Sequence, residues 1–147
     1  MKYNLSDYVL SIKSTDPSID GMFGTISIGG DGSYTDSISV TLNQKLWAVE
    51  SFATGGYVHN KNVARDGTVE ARLSQLSDQV RNLIRLVNTY YDTGSSDAPL
   101  TMTLTDRNER IACEMKDVYP SAIPSQDFQS TAQLQTWSFS CGKIVFS

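Results

Sequence analysis

One histidine, two cysteines, four prolines and a charged fraction of only 19% in 147 residues leave few routes to site chemistry. A Ser-His-Asp or Cys-His site would have to use His59, which sits in the polar, loop-like stretch 55–62 and reads as an exposed loop residue. Zinc needs closely spaced thiolates or imidazoles. Cys113 and Cys141 stand 28 positions apart and one histidine cannot complete a set, so no metal site is expected. No apolar run approaches the ~18 residues of a membrane span. The first residues, Met1–Asp16, lack the apolar core of a secretory signal. Export is therefore not expected, both cysteines are expected to be reduced, and the acceptor-like Asn4-Leu5-Ser6 reads as accidental.

Basic residues are scarce too, 12 against 16 acidic, giving a net charge of -4. Gripping a phosphate backbone requires clustered Lys and Arg that release counterions; here they are scattered. What fills the gap is small hydroxyls, 19 Ser and 13 Thr. The length fits one domain, residues 1–147, which can bury roughly 68–70% of its unfolded surface without staples.

Period-two alternation dominates the chain. From Ser33 to Leu42, Tyr34, Asp36, Ile38, Val40 and Leu42 oppose Ser33, Thr35, Ser37, Ser39 and Thr41. Leu100–Asp106 repeats the pattern with Thr101, Thr103 and Thr105 on one side, and Thr136–Cys141 sets Trp137, Phe139 and Cys141 against Thr136, Ser138 and Ser140. Further strands are predicted at Asp7–Lys13, Met22–Ile28, Lys45–Ala53, Thr68–Leu73, Arg110–Met115 and Lys143–Phe146. Gly29-Gly30-Asp31-Gly32, Gly55-Gly56, Asp66-Gly67 and Asp106–Asn108 supply the turns. One helix is predicted, about 77–91, from Leu76, Val80, Leu83, Ile84, Val87 and Tyr91 at helical spacing, with Ser77 as its cap and Gly94 at its end. Asp92–Pro99 and Tyr119–Ser130 read as exposed loops. The expected fold is mainly β, an antiparallel sandwich or barrel subunit with one flanking helix.

Motifs for chemistry fail one by one. Gly29–Tyr34 begins like a calcium-binding G-G-x-G-x-D repeat, but Tyr34 stands where the aspartate belongs. It has neither the spacing nor the following helix of a phosphate loop, so no nucleotide or other cofactor is expected. Glu50 with Glu70, or Asp106 with Glu109, read as solvated charges, and Cys113, in phase with Ile111 and Met115, reads as a small buried hydrophobe, as does Cys141. With no catalytic, cofactor or metal residues to name, the chain reads as a structural or binding protein rather than an enzyme.

Trp137-Ser138-Phe139-Ser140-Cys141-Gly142-Lys143-Ile144 resembles the W-x-F-x-C-G-K-I ending of the tail tube proteins of contractile-tailed bacteriophages. Asp66–Leu73 resembles that family's G-T-V-x-x-R-L strand leading into a helix, and Gly55–His59 its preceding turn; Leu5–Val9 and the Gly29–Gly32 turn are compatible. The resemblance spans nearly the whole chain, apart from 119–132. It implies homohexameric rings, each subunit giving strands to a ring-shaped β-barrel, stacked into a tube that conducts double-stranded DNA. It also implies the partners: further copies of the chain, a sheath outside the tube, baseplate and tail-terminator proteins at its ends, and DNA that passes without specific binding. The expected location is the virion tail, assembled in the host bacterial cytoplasm and away from membranes.

A bore through which DNA must slide should avoid Lys and Arg, which hold phosphate. The channel-lining candidates are accordingly Thr35, Ser37, Ser39, Thr41, Thr101, Thr103 and Thr105. These faces also lack the charges with which a monomer protects its sheet edges, and closing strands into a ring removes edges altogether. Loops 52–66 and 92–99 and the termini are expected to make ring-stacking contacts. Two readings compete: a tube of a contractile injection or type VI secretion system, and a carbohydrate- or peptide-binding β-sandwich using Trp47, Tyr57, Tyr90 and Tyr91 as platforms. An enzyme resting on His59 and scattered carboxylates ranks behind both.

Overall fold

The computed structural model describes residues 5–30, 34–92 and 98–147. A 3-10 turn, Leu5–Asp7, leads into β1 (Val9–Ser14), α1 (Pro17–Phe23), β2 (Ile26–Gly29), β3 (Thr35–Leu42), β4 (Trp47–Ser51) and β5 (Tyr57–Lys61). Then come β6 (Gly67–Ser74), α2 (Asp78–Asp92), β7 (Leu100–Thr105), β8 (Ile111–Pro120) and β9 (Leu134–Phe146). Seven strands form one antiparallel sheet in the order β2-β1-β7-β8-β9-β6-β3, and β4 and β5 pair only with each other. The mainly-β expectation holds, as a single sheet that curls rather than two stacked ones.

Alternation sorts the side chains as the sequence predicts. Val69, Ala71 and Leu73 of β6, and Trp137 and Phe139 of β9, are buried, and register pairs Val69 with Phe139 and Ala71 with Trp137. Leu10, Ile12, Ile26, Ile28, Leu100 and Met102 continue the same core. Helix α2 closes it with Val80, Leu83, Leu86 and Val87; Leu76 and Tyr91, expected on its apolar face, are exposed instead. Its expected terminator, Gly94, lies outside the described residues, as do Asp31, Gly32 and Ser33 and most of the 92–99 loop.

Four expectations are corrected. Residues 17–23 form a helix, so the strand foreseen from Met22 begins only at Ile26. Asp16 caps α1 by accepting from the Ser18 N–H at 2.9 Å, with Pro17 at the first helical position; two turns with one buried residue, Ile19, are too short to show a period. The stretch 55–62, read as a loop, holds β5. Strand β8 runs to Pro120, so the second loop starts at 121.

The last correction concerns Thr136–Cys141 and Lys143–Phe146, which form one strand of 13 residues. Burial in β9 passes from Cys141 to Ile144 with Gly142 and Lys143 exposed, and in β8 from Met115 to Val118 with Lys116 and Asp117 exposed. The two slips face each other, since Lys116 pairs with Lys143 and Val118 with Cys141. Asp117 has φ 54°, and a Cβ on Gly142 would stand 3.0 Å from the Asp117 Cβ. The paired strands turn a corner here, which bends the sheet without breaking its ladder.

Gly67 meets the same corner from β6. It pairs with Cys141, and a Cβ added to it would collide with the Thr41 carbonyl and the Ile144 side chain. The Asp66–Leu73 and Trp137–Ile144 segments are thus adjacent strands locked in one register.

Candidate functional site

Paired residues in an antiparallel sheet share a face, so register builds the surface turned away from the core. Across β3, β6 and β9 three rows emerge: Thr41–Thr68–Ser140, Ser39–Glu70–Ser138 and Ser37–Arg72–Thr136. Ser37, Ser39 and Thr41 therefore join Thr68, Thr136, Ser138 and Ser140, none of which was a lining candidate. The alternation at 136–140 was visible in sequence; nothing there says that β9 lies two strands from β3. Thr35 leaves this surface. The register shifts between Thr35 and Ser37, and Thr35 falls in the row of the buried Leu73. Within the bulge Asp36 reaches Arg72 at 3.7 Å, both side chains about half exposed, a contact worth little.

The β7 candidates form a second patch. Thr105, Thr103 and Thr101 pair with Val9, Ser11 and Lys13 of β1, and Thr103 also with Glu114 of β8. Thr101 and Thr103 line an open groove of about 690 Å³ with Lys13, Pro17 and Asp20, so α1 forms part of its wall. In the sheet order β7 and β3 are four spacings apart, roughly 19 Å at about 4.8 Å each. In each patch carboxylates outnumber cations, Glu70 and Asp36 against Arg72, and Glu114 and Asp20 against Lys13. The outer face is hydroxyl-rich and mildly acidic, with few basic residues.

The remaining polar groups hold structure. Asp106 accepts from the N–H groups of Asn108 and Arg110, each at 2.9 Å, closing the β7–β8 turn. His59 is exposed on β5, edge-on to Tyr57 at 5.7 Å between ring centroids. Cys113 and Cys141 are buried free thiols. Burial, with Cys113 nearby, pushes Cys141 up to about 11, and burial likewise raises Cys113. Such thiols are poor nucleophiles. Among the described residues no cluster of His, Cys, Asp or Glu is placed to hold a metal ion, and no helix is long and apolar enough to cross a membrane. The aromatic platforms divide: Trp47 and Tyr57 lie on the β4–β5 hairpin, whereas Tyr90, on α2, packs edge-on against Tyr119 and donates its hydroxyl to the Ala98 carbonyl at 2.6 Å.

Residues 8–146 match the family described as bacteriophage PhiTE tail tube protein. The chain belongs to that family. It is a structural tail tube protein, not an enzyme, and a part of a virion or of a phage-like particle. No curated protein matches the sequence. Among solved structures, the chain is similar to one from the 6-fold symmetrised baseplate of the anti-feeding prophage, at TM-score 0.60 and 8% identity, covering 99% of this chain and 95% of that one. It is also similar to a chain of the PVC sheath–tube complex, an extracellular contractile injection system in its extended state, at TM-score 0.52 and 12% identity over 100% and 93%. A third match, at TM-score 0.52 and 9% identity over 100% and 93%, is the tube-terminating cap of the anti-feeding prophage. At such identities the likeness is one of fold.

Proposed function

We propose that this tail tube protein forms homohexameric rings that stack into the inner tube of a contractile tail and that double-stranded DNA passes along its bore. The observation that carries this reading is the hydroxyl-rich outer face of β3, β6 and β9, with Arg72 its one cation against Glu70 and Asp36, found in a chain of the tail tube family. Short hydroxyls leave the bore wide, and a surface poor in Lys and Arg offers phosphates no cluster against which to release counterions. Strand β3 is an edge eight residues long without Lys or Pro, open to pairing with a neighbouring copy. The lining in this reading is Ser37, Ser39 and Thr41 with their β6 and β9 neighbours, and Thr101, Thr103 and Thr105 on the second patch; Thr35 is set aside. A sheath surrounds the tube, baseplate and terminator proteins close its ends, and assembly takes place in the host bacterial cytoplasm.

Negative-stain microscopy of the purified protein, and of tail particles, tests the assembly; a strictly monomeric protein absent from such particles would overturn it. Lysines test the bore. Thr41→Lys, whose row holds only hydroxyls, combined with Thr103→Lys should slow genome delivery while leaving tubes intact; unchanged delivery by an assembled variant would refute this lining. A second reading, a tube of an injection system carrying protein cargo, is supported by the fold likeness to a chain of the sheath–tube complex of an extracellular contractile injection system. Capsid and terminase genes beside this one would favour the phage, effector and ATPase genes the injection system.

A further inference from the structure

Two side chains of β9 carry polar atoms into the core beside α2. Gln135 and Trp137 are 4% and 1% exposed, and being two residues apart on one strand they lie on the same face. Each has one buried polar atom without a partner among the described residues, the Gln135 Oε1 and the Trp137 Nε1. The two atoms are complementary, since an indole N–H can only donate and a carboxamide oxygen can only accept. Their neighbours offer nothing. Register sets Leu73 beside Gln135 and Ala71 beside Trp137, and α2 contributes the buried Val80 and Leu83. Leaving such a donor and acceptor unpaired is costly, and folded proteins pair nearly all of them.

The other half of the Gln135 amide leads to the surface. Its Nε2 donates to Gln126 Oε1 at 2.9 Å, and Gln126 Nε2 donates in turn to the Pro124 carbonyl at 2.9 Å. Gln126 belongs to the segment 121–133, which has no regular structure and whose one hydrophobic residue packed on the core is Ile123. Phe128, further along it, is 92% exposed. Polar bonds therefore hold this segment down, at Gln126 and again where Gln75 bonds the Asp127 carbonyl at 2.8 Å and the Gln133 N–H at 3.1 Å.

We infer that one water molecule is built into the core here, accepting from the Trp137 Nε1–H and donating to the Gln135 Oε1. The Cα atoms of residues i and i+2 of a strand stand roughly 6.7 Å apart, a span bridged by a water with bonds of about 2.9 Å on either side. The site calls for one small molecule that both accepts and donates, which is water, and Gln135 also lines an open groove of about 1000 Å³ between α2 and residues 126–129 by which it enters. With the water bound, the donors run in one direction, from the indole through water, Gln135 and Gln126 to the Pro124 carbonyl. Bonds in such a chain polarise one another. The indole of Trp137 thus helps to hold the 124–126 turn from inside the core. The site lies within one chain and stands whether or not tubes form.

A structure at a resolution that shows ordered water, from crystals or from assembled tubes, tests the site directly; the expected density lies within about 3 Å of both Nε1 and Oε1. Chymotrypsin tests the chain of bonds, because Phe128 is an exposed target in the segment they hold. Trp137→Phe, which removes the donor, and Gln126→Ala should each raise cleavage after Phe128 about tenfold, the worth of one hydrogen bond. The double variant should go no further than either alone. Val69→Ala, a cavity at the core position paired with Phe139, controls for general loss of stability and should leave that cleavage within about twofold. A direct bond between Trp137 and Gln135, or no density between them, overturns the water. Ordered water together with Trp137→Phe cleaved no faster than Val69→Ala overturns the chain that ties it to the surface.

Discussion

The sheet around β6 and β9 and the projecting β4–β5 hairpin, the arm, are built from the same alternating sequence, yet one buries a whole face and the other buries none. In the sheet, Val69, Ala71 and Phe139 have no exposed surface; in the arm every residue is exposed. Alternation therefore says that a strand has two faces, not what covers them. In the sheet the cover is α2 and the curl of the sheet itself, so stability is decided within the chain. In the arm no described residue supplies a cover, and mutations there should have little effect on folding.

The widest separation of the two regions should come from Phe139→Ala, which empties a core site and should lower unfolding free energy by about 3–5 kcal/mol in denaturant titration. Replacing 46–62 with a short turn should change that free energy by no more than about 0.5 kcal/mol while abolishing assembly. Equal destabilisation by both changes would erase the distinction.

Gly67→Ala follows, at about 1–3 kcal/mol, because its Cβ meets backbone at Thr41 as well as the Ile144 side chain. Gly55→Ala, at φ 92° in the arm, meets nothing within 4 Å and should strain only the tip. Next, Asp16→Ala should remove about 1 kcal/mol by uncapping α1, measurable as a lower denaturation midpoint with the arm unaffected. The smallest effect is alkaline. Cys141 holds its proton more tightly folded than unfolded, since burial lifts it from 9.0 to about 11. Its contribution is fully present below about pH 9 and is lost as pH climbs toward 11. Cys141→Ala should flatten that part of the stability profile, measured by denaturant titration across the alkaline range.

Much of this was legible in the sequence, and the illegible parts have identifiable causes. Helix α2 was readable from Val80, Leu83 and Val87, and most strands from strict alternation. The β8–β9 corner was not, because a phase slip of burial at Gly142 looks, in one dimension, like the end of a strand. Nor was β5, the second strand of the arm, since Gly55-Gly56 and polar residues around His59 resemble an irregular loop when no partner strand is known; its first strand, β4, lies within the predicted Lys45–Ala53. Of the lining candidates, Ser37, Ser39 and Thr41 share the face turned away from the core, and the bulge that puts Thr35 in the row of Leu73 has no sequence marker. The β9 hydroxyls were seen and not joined to β3, for lateral strand order is set by register and packing over long sequence separations.

The central claim is that the outer face of β3, β6 and β9 faces a bore along which DNA moves. Electron cryomicroscopy of the assembled tube, at a resolution that traces the chain, tests it most directly. The account predicts a hollow tube of stacked hexameric rings with Ser39, Thr41, Thr68, Ser138 and Ser140 on the inner wall. A tube whose inner wall is formed by α2 or by the β4–β5 arm, with those hydroxyls buried between subunits or facing outward, would contradict it.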